Sequence, residues 1–391
     1  MSELERKPKI RFKGFTEPWE QRKLGELGNT FTGLSGKSSS DFGHGSGRFV
    51  TYMNVFTNPI ADTSRVEPIE IDKNQKEIQY GDIFFTTSSE TPEEVGMSSI
   101  WLGNNENTYL NSFCFGFRPT FKFDPYYIAY LLRSDIVRQP MILLAQGISR
   151  YNISKTKAMD IELSMPKIKE QEKIGAFLYY LDNLITLHQR KCDKLKTVKT
   201  ALLKGMFPEN ATTPKIRFKG FTQPWEQRKL EELGKIETGN TPATSNLEYY
   251  SDTGLLWITP TDITSNITTK TVKYLSDKGE KVARVIPANS TLCTCIASIG
   301  KNTFCPIKSA FNQQINALSP NNSNDPYFIF TDSYRWSIAM KKGAGGLTFQ
   351  IVNKTEFSSI ETYIPSKQEQ VKIGQLFYKL DSLITLHQRK L

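Results

Sequence analysis

The sequence predicts an α/β (α+β) chain built as an internal duplication. Two mixed α/β domains are joined by a pair of long antiparallel coiled-coil helices and related by a pseudo-twofold axis. Three observations carry this. Lys9–Gly28 (KIRFKGFTEPWEQRKLGELG) recurs as Lys215–Gly234 (KIRFKGFTQPWEQRKLEELG), 206 residues later, with 18 of 20 positions identical. Glu170–Lys191 (EQEKIGAFLYYLDNLITLHQRK) recurs as Glu369–Lys390 (EQVKIGQLFYKLDSLITLHQRK), 199 residues later, with the last eight residues identical. The inserts between these frames differ in length by seven residues and share little identity. A repeat of this kind sets the architecture before any local reading. The frames read as scaffold and the inserts as the adaptable parts. The predicted limits are 1–150 and 215–346 for the two domains. Residues 151–214 and 347–391 form the linking segments with their helices.

The second frame of each copy predicts a helix. Ile174, Leu181, His188, Leu195 and Leu202 fall seven apart, a heptad seam. Phe177, Leu184 and Val198 read as the complementary positions, with Leu178 and Ile185 widening the stripe. Pro166 precedes the helix, and Gly205 and Pro208 end it. From Glu170 to Gly205 its length is about 54 Å. The second helix stops at Leu391, whereas the counterpart of Pro208 would fall at position 407, so it reads as about sixteen residues short. His188 and His387 occupy one heptad position and read as a polar pair that sets register.

The inserts, about Asn29–Gly147 and Lys235–Gly346, read as mixed α/β. Both open with loops rich in Gly, Ser and Thr, at Thr32–Gly47 and Thr238–Asn246. Short strands follow, such as Gly81–Thr87 and Thr291–Ile296. Each insert closes on Asp-Pro-Tyr, at Asp124 and Asp325, where Asp suits an N-cap and Pro the first helical turn.

Composition narrows the function. The 391 residues carry a formal charge of +10, which favours a polyanionic partner. The longest apolar run is seven residues, Tyr126–Leu132, against about twenty for a membrane span. A soluble, cytoplasmic chain with no membrane partner is expected. Five cysteines without a CxxC predict reduced thiols. Cys293, Cys295 and Cys305 read as buried sheet residues, so no metal site is expected. No P-loop and no glycine-rich S-adenosylmethionine fingerprint occurs. Asp-Pro-Tyr lacks the second proline of the adenine-methyltransferase loop and reads as a cap. No catalytic residue and no bound cofactor are expected. Trp19 and Trp225 lie in the frame and read as packing residues.

The insert loops hold the binding candidates. Short hydroxyls and amides suit base edges, and Lys and Arg suit phosphates and guanine. In the first insert these are Lys37, His44, Arg48, Tyr52, Thr87, Ser88 and Ser89. In the second they are Thr241, Thr259, Asp262, Ser298, Lys301, Asn312 and Gln313.

Taken together, the residues resemble the DNA-specificity (S) subunit of type I restriction-modification systems. The resemblance rests on Glu26-Leu27-Gly28, the Asp-Pro-Tyr helices, Gly147–Pro166, and Pro166 followed by Glu170-Gln171 and Ile174. The second copy repeats this with Gly346–Pro365 and Glu369-Gln370. It covers nearly the whole chain, in the same order in both halves. The resemblance implies two target-recognition domains, each reading one half of a split double-stranded DNA site. The paired helices would act as spacer. They would dock two methyltransferase (M) subunits and, through these, two restriction-translocation (R) subunits. S-adenosylmethionine, ATP and Mg would belong to those partners. A short second helix would weaken docking of one M subunit. Two other readings compete: a coiled-coil scaffold that ignores nucleic acid, and a self-contained DNA methyltransferase or nuclease.

Overall fold

The computed structural model describes residues 8–208, 212–343 and 351–389. The expected boundary at 346/347 and the start of the Gly346–Pro365 segment lie outside them. The chain divides into two compact units, Met1–Leu184 and Ile185–Leu391.

Each unit is tied together by its frame. In the first, the strand Glu20–Lys23 pairs antiparallel with Glu162–Met165. In the second, Glu226–Lys229 pairs the same way with Glu361–Ile364. Arg11 forks onto both carboxylate oxygens of Glu170, and Arg217 does the same to Glu369. Asp124 caps the helix Pro125–Leu131 by accepting the Tyr127 N–H at 2.8 Å, and Asp325 caps Pro326–Gly343 by accepting the Phe328 N–H at 2.8 Å. Gln171 and Gln370 accept the N–H of these capping aspartates and donate to the carbonyls of Pro166 and Pro365. The helices approach so closely that a Cβ on Gly175 or Gly374 would overlap the capping carboxylate, which is why the frame reads Lys-Ile-Gly in both copies.

The inserts share topology where they lack sequence identity. The first holds a four-stranded antiparallel sheet in the order Gly28–Thr32, Cys114–Pro119, Ile83–Thr86, Ser98–Ile100. The second repeats that order with Gly234–Thr238, Ile315–Pro320, Ser290–Thr294, Asn302–Cys305. A second sheet stands in each unit. In the first it joins Val66–Ile69, Phe42–Val50 and Thr108–Leu110. In the second it has five strands around the parallel pair Leu255–Ile258 and Ser309–Phe311. Phe85 stacks on Phe115 within the first core, and Phe207, Trp225 and Phe328 cluster in the second.

The frame helices span Ile168–Met206 and Lys367–Arg389. Within the second unit, His188 Nδ1 lies 2.9 Å from His387 Nδ1, and Lys199 Nζ lies 2.5 Å from Asp381. Numbers rise along one helix as they fall along the other, so this stretch runs antiparallel. The complementary seam differs from the sequence expectation. Val198 is exposed, whereas Cys192 and Met206 are buried and Lys199 is engaged. The seam residues follow the heptad positions His188, Leu195 and Leu202 by four rather than three, because a long Lys stem and a thiol fill seam positions that hydropathy alone passes over. Phe177, Leu181 and Ile185 are likewise exposed.

Candidate nucleic-acid interface

In each unit the same loops converge at one end of the central strands. In the first, Leu34 N–H donates to Leu110 at 2.8 Å, and Asn111 N–H to Val50 at 3.1 Å. Phe113 N–H donates to the Asn111 side chain at 2.8 Å, and Thr87 N–H to Phe113 at 2.9 Å. In the second, Asn240 N–H donates to Phe311 at 3.0 Å, and Asn312 N–H to Ile258 at 3.0 Å. Gln314 N–H donates to the Asn312 side chain at 3.1 Å, and Cys295 N–H to Gln314 at 2.8 Å. The four bonds match one for one. A Cβ on Gly33 would overlap the Asn111 carbonyl, and one on Gly239 the Asn312 carbonyl, so both loops need glycine at the crossing.

The second unit gathers most of its candidates here. Thr241 and Gln313 hydrogen-bond side chain to side chain at 2.5 Å. Thr259 donates to Asp262 at 2.6 Å, which also accepts the Thr259 N–H. Asn312 is buried beneath them and holds Gln314 through its side-chain amide. Ser298 and Lys301 lie on the adjoining turn, exposed, where Thr294 accepts the Lys301 N–H. Ala297 in that turn is left-handed, with φ 63°.

The first unit divides its candidates. Tyr52 donates to the Ser88 carbonyl at 2.7 Å, and Thr87 joins the loop network. Burial raises the Tyr52 pKa, so the phenol stays a donor. Ser88 and Ser89, expected at the surface, are buried instead. Pairing with Tyr151–Asn152 covers them, and the Ser89 hydroxyl is committed to Glu94. Three more sit on the three-stranded sheet and its preceding loop. Lys37 pairs with Asp72 at 2.8 Å, and this bond pulls the Asp72 carboxyl down to about 2. His44 contacts the Ser40 carbonyl and then Glu70, which together raise its pKa. Arg48 donates to the carbonyls of Gly45 and Gly47.

Sequence reasoning missed Met53, exposed on the short helix Tyr52–Thr57, Phe113, exposed on a converging loop, and Arg150, whose guanidinium lies 5.7 Å from the Phe113 ring centroid. Asn111, Asn240 and Gln314 were also passed over. Their signal is positional: each is visible only when the two inserts are aligned by hydrogen bonding.

Other conspicuous residues have structural partners. Trp225 is buried against Phe207 and Phe328, and Trp19 meets Tyr127 edge-on at 6.3 Å. The Cys305 thiol contacts Ser309 at 3.0 Å. Among the described residues, no group of three His, Cys, Asp or Glu is placed to hold a metal, and no helix is long and apolar enough to cross a membrane.

The profile of the type I restriction modification DNA specificity domain matches twice, over residues 16–197 and 222–391. The chain belongs to this family. Its role is therefore that of a specificity subunit in DNA target recognition. It is 23% identical over 388 residues to the MjaX type I restriction enzyme specificity subunit of Methanocaldococcus jannaschii, covering 96% of this chain and 89% of that one. It is 33% identical over 165 residues to the HindI specificity subunit of Haemophilus influenzae, covering 40% of this chain and 36% of that one. The crystal structure of a type I restriction-modification S subunit from M. genitalium aligns with a TM-score of 0.67 at 12% identity, over 98% of this chain and 94% of that one. At that identity the likeness is one of fold.

Proposed function

We propose that this specificity subunit reads a split duplex site, with one target-recognition domain per half-site, through the converging loops of each insert. The observation that carries the reading is the matched set of loop hydrogen bonds in two inserts with little common sequence. One scaffold presents Thr241, Thr259, Asp262 and Gln313 in one copy and Tyr52, Met53, Phe113 and Arg150 in the other. Different side chains on one frame suit two different half-sites.

In this reading residues 1–150 and 215–346 are the readers. Residues 151–214 and 347–391 supply the coiled-coil spacer and docking surface. The subunit is not itself an enzyme and binds no cofactor. It acts in the cytoplasm with two M and two R subunits, which bring S-adenosylmethionine, ATP and Mg.

The test is adenine-methylation mapping of genomic DNA in cells carrying the cognate M subunit, with and without this chain. One split motif that appears only with the chain is the expected result. Methylation that does not depend on the chain would overturn the reading.

A further inference from the structure

One hairpin recurs in both units with the same base and a different tip. In the first unit it joins the strands Ile83–Thr86 and Ser98–Ile100, and in the second Ser290–Thr294 and Asn302–Cys305. A threonine closes each base. Thr86 N–H donates to the Met97 carbonyl at 2.9 Å, and Thr86 Oγ1 accepts the Met97 N–H at 3.0 Å. Thr294 makes the same two bonds with Lys301, both at 2.9 Å. Gly96 and Gly300, one residue before these partners, donate to the threonine carbonyls and are left-handed, with φ 64° and 81°. Val95 and Ile299, one residue earlier again, are buried in the cores of their units. Both threonines are 0% exposed.

The base is also held from the helix behind it. Arg138, on the helix Asp135–Leu143, donates to the carbonyls of Glu93, Val95 and Gly96. In the second unit Asn302 donates to Ser333 and Ser337 on the helix Pro326–Gly343. The first residue of each tip is stitched to a converging loop, Thr87 N–H to the Phe113 carbonyl and Cys295 N–H to the Gln314 carbonyl. Their own carbonyls accept from Ile153 at 3.0 Å and Val352 at 2.9 Å. The tips themselves diverge. Ten residues, Thr87–Gly96, stand between the threonine and its partner in the first unit, and six, Cys295–Gly300, in the second. The first tip exposes Glu90, Thr91 and Glu93. The second exposes Ala297 and Ser298, with Lys301 beside them. A constant base under a variable tip lets one rigid scaffold change what it reads.

We propose that this tip is a second specificity-determining element in each unit, and that Thr86 and Thr294 are the positioning residues that set it. The inference rests on the DNA reading proposed above and deepens it. The carboxylates of Glu90 and Glu93 accept only, which suits the exocyclic amine of cytosine. Ser298 and Lys301 can donate, which suits guanine. The two tips therefore favour different bases in their two half-sites.

The experiment is fluorescence anisotropy of the full chain with its methyltransferase subunit, well below the unfolding temperature. The duplexes are the site found by methylation mapping and versions altered in one half-site at a time. The ratio of the two affinities is the discrimination at that half-site. Thr294→Val should lower it about tenfold in the second half-site and leave the first unchanged, and Thr86→Val should do the reverse. Thr294→Ser and Thr86→Ser keep the accepting oxygen and should retain the discrimination. A merely structural loss would weaken binding to every duplex alike. The paired exchange Ser298→Ala with Lys301→Ala alters exposed groups only, so it tests the second tip without touching the clasp, and Glu90→Ala with Glu93→Ala tests the first. Each should lower discrimination at its own half-site. Unchanged ratios in these paired variants would overturn the proposal, as would a loss at both half-sites from one tip, or serine variants that behave like valine. A native chain that discriminates at neither half-site would overturn the DNA reading together with this proposal. Discrimination kept by the native chain and by every tip variant would remove the proposal alone.

Discussion

Arg217 holds both carboxylate oxygens of Glu369 at 2.8 Å, through Nε and Nη2, with the carboxylate 1% exposed. The pair bridges the first and second frames of one copy, and Arg11 with Glu170 repeats it in the other. Removing the cation alone leaves a buried, unpaired carboxylate. Arg217→Ala should cost about 3–5 kcal/mol. Replacing both partners by Met and Leu should recover most of that, because the penalty lies in desolvation rather than in lost attraction. Urea unfolding of the single and double variants checks both claims.

The two frame helices offer an internal control. Asp381, 3% exposed, accepts from Lys199, from Asn266 at 2.9 Å and from the Tyr327 hydroxyl at 2.8 Å. Its counterpart Asp182 is exposed and accepts from Tyr130 at 3.2 Å. Asp381→Ala strands three donors and should destabilise by about 3–5 kcal/mol. Asp182→Ala should stay within about 0.5 kcal/mol. Equal losses measured by denaturant midpoint would show that the copies are equally packed here, against this structure.

The frames were legible because their signals are local. Asp-Pro-Tyr caps and the heptad leucines act within a turn or two of helix, whereas the approach of Gly175 to the distant Asp124 has no local pattern. The seam's second half departs from the heptad reading, since Cys192 and Lys199 fill it where Val198 was expected. Burial of Ser88 and Ser89 depends on Tyr151–Asn152, some sixty residues away, and no local pattern reports it. Met53 and Phe113 look like core residues in sequence. Met53 is at the surface on the short helix Tyr52–Thr57, and Phe113 on a loop crossing. Thr241, Thr259 and Gln313 were readable as loop polar groups, but their convergence rests on parallel pairing of distant strands.

All five cysteines are free and buried. Burial raises the thiols of Cys114, Cys293 and Cys305, and pushes Cys295 from its ordinary 9.0 to about 11. Thiolates are the reactive form, so native protein at pH 8 should resist alkylation, and all five should react after unfolding. Mass spectrometry after a brief pulse of iodoacetamide counts them. The sign with pH follows. Between about 9 and 11 the unfolded thiol at position 295 has lost its proton while the folded one keeps it. The unfolded state therefore binds fewer protons, and stability falls as pH rises through that window.

The loop surfaces make the sharpest prediction, because each unit should answer only for its own half-site. Gln313→Ala removes an exposed amide held by Thr241, on a loop whose backbone is fixed by the bonds of Asn312. Affinity for the cognate site should fall by about 1–3 kcal/mol, with relaxed preference in one half-site and none in the other. Phe113→Ala should do the same to the opposite half-site. Arg150→Ala is a different case. If it meets a phosphate, it lowers affinity evenly across sequences and reduces the salt slope by about one. If it meets a base, it relaxes specificity and leaves the slope nearly unchanged. Gly239→Ala forces a Cβ onto the Asn312 carbonyl and should disable the second half-site entirely. Anisotropy with duplexes mutated in one half-site at a time, repeated across salt concentrations and in the presence of the methyltransferase subunit, separates these outcomes. Loss of discrimination at both half-sites from Gln313→Ala alone would contradict a division of labour between the two inserts.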